Sequence, residues 1–405
     1  MQSKDSQDSD AIVSRSVMKG KPVKGMVSSH IVTAESVQAE EVPTVPLGPL
    51  QTLSALRPEV SVHSVASTVA VSMPAPLVVQ PAEYRRSLSE WLQVWRDGIR
   101  PAYLPLSVMP VLVGSTVAWT QTLSLKTPFG HFHLLHFVAT LVAVILLQTG
   151  AHLVNDYYDY LKGIDTSNPL GPGGLIQQGL IKPVRVLFFG MGALILGALI
   201  GVVVAISGGP LVFLFGLMGL IVAYLYSGTS RALASKTLGE LTSFVIFGPL
   251  ITLGAYMVQT GHPDRTALLY SLPLGFLATA FIHVNNMRDV EGDVQSGKRT
   301  LTSILGLPLS RALYIVLLLG AYTIIIASVV PHNAPHLLLI TLWTLPMLVV
   351  AISGILRTDA PAALHTVMRQ TLKLETLFTI LLIAAIIVSA LLPIIPHLPA
   401  IVLPV

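Results

Sequence analysis

Ten acidic residues follow residue 100, and six of them fall in two short stretches. The first runs from His152 through Asn155, Asp156, Tyr157, Tyr158, Asp159, Tyr160, Lys162 and Gly163 to Asp165. The second runs from Asn285 and Asn286 through Arg288, Asp289, Glu291 and Gly292 to Asp293. On a helix, residues four apart lie one above the other, so Asn155 with Asp159, and Asp289 with Asp293, would each share a face. Stacked carboxylates repel unless something positive sits between them. Their hard oxygens suit Mg²⁺, which keeps several waters and binds through one or two carboxylates plus phosphate. Two such faces opposed across a cavity would hold a diphosphate through bridging metal ions, with Lys162, Arg288, Lys298 and Arg299 balancing the remaining charge. Either motif alone could be a solvated helix end. Two on one membrane face, holding most of the acids of this region, argue against that.

The elements that position these motifs are apolar helices. The chain is 405 residues, 53% hydrophobic and only 11% charged, with mean hydropathy +0.73; soluble domains carry about a quarter charged residues. Apolar stretches long enough to cross roughly 30 Å of hydrocarbon follow one another from residue 102. Nine are expected, at 102–122, 134–154, 184–206, 210–227, 239–260, 266–286, 310–331, 335–355 and 373–395. Backbone polar groups in lipid must be paired within their own segment, so the fold class is all-α, a polytopic helical bundle. Gly208, Gly209 and Pro210 predict a tight turn between the third and fourth spans.

Basic residues set the orientation. Arg85, Arg86, Arg96 and Arg100 precede the first span, and Lys162, Lys182, Arg185, Arg231 and Lys236 fall in the next two loops on that face. Arg288, Lys298, Arg299, Arg311, Arg357, Arg369 and Lys373 complete sixteen, against Lys126 and Arg265 on the other face. This bias places the N-terminus and the motif loops in the cytoplasm, in a multi-pass protein of the cell membrane. The net charge of +4 is scattered rather than clustered, which excludes a nucleic-acid partner. Cysteine is absent, removing disulfides and thiolate metal sites, and the twelve histidines form no ligand-spaced cluster and read as interfacial or packed. Residues 1–87 are rich in Ser, Val, Pro and Gln, lack a spanning run and a basic signal-peptide start, and read as a disordered tail before a domain at 88–405.

Together the two motifs resemble those of the UbiA superfamily of intramembrane prenyltransferases. The stretch from Asn155 to Asp165 is similar to the first aspartate-rich motif, with a Lys-Gly-x-Asp extension that puts the third acid at Asp165. The stretch from Asp289 to Asp293 is similar to the second. The resemblance spans the whole nine-span region, about three quarters of the chain. Flanking residues look most like the members that prenylate 1,4-dihydroxy-2-naphthoate: Arg100-Pro101 with Leu104-Pro105, a Gly-rich stretch ending at Gln178-Gly179, and Asn285-Asn286 followed by Gly297-Lys298 and Thr300-Leu301.

That resemblance implies Mg²⁺ as cofactor, one ion on Asn155 and Asp159 and another on Asp289 and Asp293. It implies Asp156, Asp159, Asp289 and Asp293 as catalytic acids, supported by Asp165 and Asn286. It adds Tyr226, Lys236 and Arg100 to the basic residues as diphosphate contacts. Glu240 stands where relatives often carry Asp, and Ala102 and the stretch 168–174 lack basic residues that some relatives have. The implied partners are a polyprenyl diphosphate, an aromatic acceptor and the lipid bilayer. The implied reaction joins the prenyl chain to the ring with loss of CO₂, giving a demethylmenaquinone. Tyr157, Tyr158 or Tyr160 could face an allylic cation, or belong to an interfacial aromatic belt. Glycines 171–174 could cradle anionic oxygens or form a simple closing loop. Alternatives are the same chemistry on 4-hydroxybenzoate or homogentisate, a cation-coupled transporter, or a non-catalytic isoprenoid-binding scaffold. Acids at helix ends and the lack of an inverted repeat argue against transport.

Overall fold

The computed structural model describes residues 87–124, 126–127, 130–163, 175–225, 237–331 and 334–393. The tail before Ser87, Asp165, the 171–174 glycines, Tyr226 and Lys236 lie outside them. The described chain is all-helical, with no strand. Among the described residues, seven helices are long and apolar enough to cross a membrane. They are α3 (Leu134–Leu161), α4 (Pro183–Gly208), the broken helix Gly239–Thr260, α8 (Arg265–Arg288), α10 (Leu301–Val329), the helix His336–Arg357 and α12 (Pro361–Leu391). An eighth crossing results if α1 (Leu88–Ile99), the turn Pro101–Tyr103 and α2 (Pro105–Gln121), bent by 52° at their junction, are taken together. The ninth expected span is α5 (Pro210–Leu225), apolar but only 16 residues long.

Departures from the expected boundaries have local causes. The first span starts at Pro105 because Arg100 adopts left-handed backbone (φ 56°, ψ 59°), which ends α1, and Pro101 opens a separate turn. Ser87 and Glu90 form a reciprocal cap that starts α1, and its Trp91 and Trp95 pack on a small satellite core around Leu153, Leu175 and Val186. The span at 310 starts at Leu301 instead, because a kink at Gly306 (φ 71°) joins two helical pieces before Pro308. The last span starts at Pro361, twelve residues before the expected 373, since polar residues such as Gln370 do not stop a helix. Arg311, Arg369 and Lys373, expected in loops, are therefore on helices, and Arg311 pairs with Asp359.

The broken helix comprises α6 (Gly239–Val245), a π-helical turn (Ile246–Leu250) and α7 (Ile251–Thr260). Pro249 lies in that turn and cannot donate a backbone hydrogen bond, which accounts for the widened winding. The helix His336–Arg357 likewise starts as a 3₁₀ segment before α11 (Leu345–Arg357). The most buried span is α8, packed against α2, α6, α10 and α12. Glycines let backbones meet: a Cβ on Gly150 of α3 would fall 2.8 Å from the Gly190 carbonyl of α4, and one on Gly248 would fall 2.9 Å from Gly275 Cα of α8. The outer faces of α4 and α5 expose Phe188, Leu199, Val203, Ile206 and Phe213, as lipid-facing surfaces do.

Candidate functional site

A cavity of about 340 Å³ runs between α2, α3, α5, α7 and α8. One end is polar, walled by Arg100, Gln148, His152, Asn155, Asp156, Asp159, Lys162, Asn285, Asn286, Asp289, Asp293 and Lys298. The other is apolar, walled by Val144, Leu147, Val204, Phe215, Phe247, Leu250 and Val258. Along α3 its wall extends from Thr140 to Lys162, roughly 33 Å at the helical rise of about 1.5 Å per residue.

Both motifs reach this one end. On α3, Asn155 Nδ2 donates to Asp159 Oδ2 at 2.6 Å, so the four-residue spacing is realised as a hydrogen-bonded pair. Asn285 Nδ2 donates likewise to Asp289 Oδ2 at 3.3 Å. Asp289 and Asp293 do not share a continuous helix, as the spacing had predicted. The helix α8 ends at Arg288, Asp289 caps it, and Asp293 lies on the short α9 (Val290–Gln295). Its backbone N–H still donates to the Asp289 carbonyl at 2.9 Å, preserving the one-turn relation.

Lys298 is delivered by the end of α9. The N–H of Gly297 (φ 75°) donates to the Val294 carbonyl, and that of Lys298 to the Asp293 carbonyl at 2.8 Å. This paired helix ending needs a left-handed residue, which glycine supplies without strain. It turns the chain back so that Lys298 Nζ reaches Asp293 Oδ1 at 3.1 Å.

The charges act across the cavity. Burial pushes the Asp293 carboxyl up to about 6; Lys298 pulls it back, while Asp289 and Asp159 push it further up. Burial lowers the Lys162 ammonium, with Asp159 opposing and Lys298 pushing the same way. Charges of both motifs thus feel each other.

The remaining sequence candidates divide. Asp156 is buried in an ion pair with Arg100, which carries it to the α1–α2 elbow. Arg288 does not wall the cavity: it grips Asp289 with two contacts of 2.6 Å, donates to Asn285 Oδ1 at 2.9 Å and meets His365. Arg299 is exposed and lines no part of it. Tyr157, Tyr158 and Tyr160 are absent from the wall as well. The aromatic rings at the polar end are Tyr103 and Phe281, packed edge to face at 5.3 Å.

Some site residues escaped the sequence reading. Gln148 Nε2 donates to the Tyr103 carbonyl at 2.9 Å, and Gln148 accepts from Ser107. With His152, Asn155 and Asp159 it forms a polar stripe at helical spacing, a signal present in the sequence. Behind the second motif, Glu240 Oε1 accepts from Asn286 Nδ2 at 3.0 Å and lies 3.0 Å from Nδ1 of His283, which is wholly buried. His283 Nε2 donates to the Ser310 carbonyl at 3.0 Å. No local spacing links positions 240, 283 and 310.

The donor set fits a hard divalent cation. Asp293 Oδ2 is buried without a hydrogen-bond partner among the described residues. Among those residues no three His, Asp or Glu side chains converge into a closed metal nest. Such an open arrangement suits Mg²⁺, whose other ligands are water and phosphate.

The sequence profile of the UbiA prenyltransferase family matches residues 107–374. The chain belongs to that family, and with its apolar helices it is a multi-pass membrane protein and a prenyltransferase. It is 29% identical over 290 residues to 1,4-dihydroxy-2-naphthoate octaprenyltransferase of Bacillus subtilis, covering 72% of this chain and 91% of the relative. It is 30% identical over 305 residues to the Escherichia coli protein of the same name, covering 73% and 96%. Its fold is similar to that of a UbiA homolog from Archaeoglobus fulgidus solved with DMAPP and Mg²⁺, at TM-score 0.52 and 16% identity, covering 73% and 99%.

Proposed function

We propose that the protein transfers a polyprenyl chain from its diphosphate to 1,4-dihydroxy-2-naphthoate, releasing diphosphate and CO₂. The observation that carries this is the two-ended cavity, roughly 33 Å long in all where it follows α3: carboxylates and lysines of two opposed motifs at one end, and an apolar wall that includes Val144, Leu147, Val204, Phe215 and Phe247 at the other. An isoprenoid diphosphate has the same division. The names of the relatives from Bacillus subtilis and Escherichia coli supply the naphthoate.

In this reading Asn155, Asp159, Asp289 and Asp293 hold Mg²⁺, which when bound neutralises the diphosphate and the charge that grows on its bridging oxygen. Lys162 and Lys298 bind the remaining phosphate oxygens, with Tyr226 and Lys236 as further contacts and Asp165 as a supporting acid. The apolar wall orients the prenyl chain and keeps water from its reactive carbon. As the allylic C–O bond breaks and diphosphate leaves, the electron-rich ring carbon that bears the carboxylate forms the new C–C bond, and its bond to the carboxylate breaks to release CO₂ and return the electron pair to the ring. The positive-inside bias places the motif end at the cytoplasm.

Purified protein given Mg²⁺, a long prenyl diphosphate and a panel of acceptors tests the assignment. Prenylated product is expected from dihydroxynaphthoate. Turnover of 4-hydroxybenzoate with none of dihydroxynaphthoate would sink it.

A further inference from the structure

A second cavity of about 810 Å³ lies at the same end of the bundle, between α1, the Arg100–Tyr103 elbow and α12. Arg100 and Tyr103 belong to the walls of both cavities. The elbow between them is a strained place. Arg100 holds left-handed backbone that strains a non-glycine residue and persists only where its surroundings fix it. Here the buried pair with Asp156 fixes it.

The outer cavity has its own electrostatics. Arg369 and Lys373 stand one turn apart on α12 and form its cationic wall. Neither pairs with a carboxylate among the described residues. Its acid, Asp97, lies 3.7 Å from its neighbour Arg96. Further along α12 the wall turns apolar at Leu377 and Ile380.

We propose that this outer cavity is a loading site for the acceptor, with its carboxylate held by Arg369 and Lys373 and its ring on the apolar wall, before it passes Tyr103 toward the prenyl group. This rests on the function proposed above and adds where the acceptor is recognised. Two cationic donors one turn apart can each hydrogen-bond one of the two oxygens of a carboxylate. A diphosphate, by contrast, finds metal-binding acids beside an apolar groove in the inner cavity. Lysine and arginine on an exposed helix face often do no more than reach toward water. These two also wall a cavity that shares Arg100 and Tyr103 with the inner cavity.

The full-length protein, purified with Mg²⁺ and a long prenyl diphosphate, allows a direct comparison. The double variant Arg369→Gln/Lys373→Gln should raise KM for the carboxylated acceptor about tenfold, the loss of a charge-assisted hydrogen bond or two. KM for the prenyl diphosphate, and turnover of 1,4-dihydroxynaphthalene, which lacks the carboxylate, should stay as in the parent protein. Arg369→Lys should keep most of the acceptor affinity. An unmoved acceptor KM overturns the proposal. So does an equal loss with both acceptors, or an effect that appears only in phosphatidylglycerol vesicles and assigns the cations to lipid headgroups. If 4-hydroxybenzoate replaces dihydroxynaphthoate as substrate, the naphthoate reading alone fails and the same comparison is made with that acid. A parent protein that prenylates only uncharged rings overturns this proposal. Should the double variant not fold, Lys373→Gln alone serves with the same readouts.

Discussion

The two aspartate motifs carry the same Asn-to-Asp pair four residues apart, yet the protein secures them differently. The first sits on an unbroken helix, and its extra acid, Asp156, is anchored to Arg100, 56 residues away in sequence. The second sits at a helix break, where the adjacent Arg288 grips Asp289 and occupies the oxygen of Asn285. Both asparagines donate to their aspartate, Asn155 at 2.6 Å and Asn285 at 3.3 Å, and in the second motif Arg288 holds the asparagine as well. One motif is thus tied into the packing of α1 and α2, and the other is held by its own neighbours. A residue securing the first motif should affect stability alone, and one securing the second should affect metal affinity as well.

The largest expected effect tests what the motifs share. Asp159→Asn and Asp293→Asn should each lower kcat by about 10²–10³-fold, since each removes charge opposite the leaving group. Steady-state prenyl transfer at saturating Mg²⁺ measures this, and a change in one motif only would break the symmetry. Arg100→Met should next cost about 3–5 kcal/mol of unfolding free energy in detergent, because it strands the buried Asp156. The pair replacement Arg100→Met/Asp156→Leu should recover most of that. Arg288→Met, which also removes a partner from a largely buried acid, should lose stability too, but in addition it should weaken Mg²⁺ activation about 10–100-fold, as loss of a ligand's orienting partner does, an effect Arg100→Met should lack. If these two results were exchanged, the contrast between the motifs would be wrong.

Gly150→Val, where α3 crosses α4, should cost about 1–3 kcal/mol by overpacking, with the Gly190 carbonyl 2.8 Å from the new Cβ. Thermal unfolding would report it. The smallest effect concerns pH. Without metal, Asp293 takes up a proton as pH falls through about 6. Because the carboxylate form is the one that binds Mg²⁺, half-saturating Mg²⁺ should rise below that pH and be flat above it. Asp293→Asn should abolish the rise.

Much of this was legible in the sequence where periodicity carries the information. Apolar runs gave the spans, and four-residue spacing brought Asn155 to Asp159. What was missed depends on backbone breaks or long separations. The kink at Gly306 moved the start of α10, and polar residues early in α12 disguised more than three turns of helix. Arg288 read as a free cation facing substrate, whereas it closes on Asp289. The Glu240–His283–Ser310 chain joins three helices and leaves no local mark.

Chelation tests the central claim most directly. With long prenyl diphosphate and dihydroxynaphthoate, the protein should form a prenylated naphthalene product, seen by mass, that disappears with EDTA, returns with Mg²⁺, and is not restored in the Asp159→Asn/Asp293→Asn variant. Product formation unaffected by EDTA, or undiminished in that variant, would contradict an active site built on these two motifs.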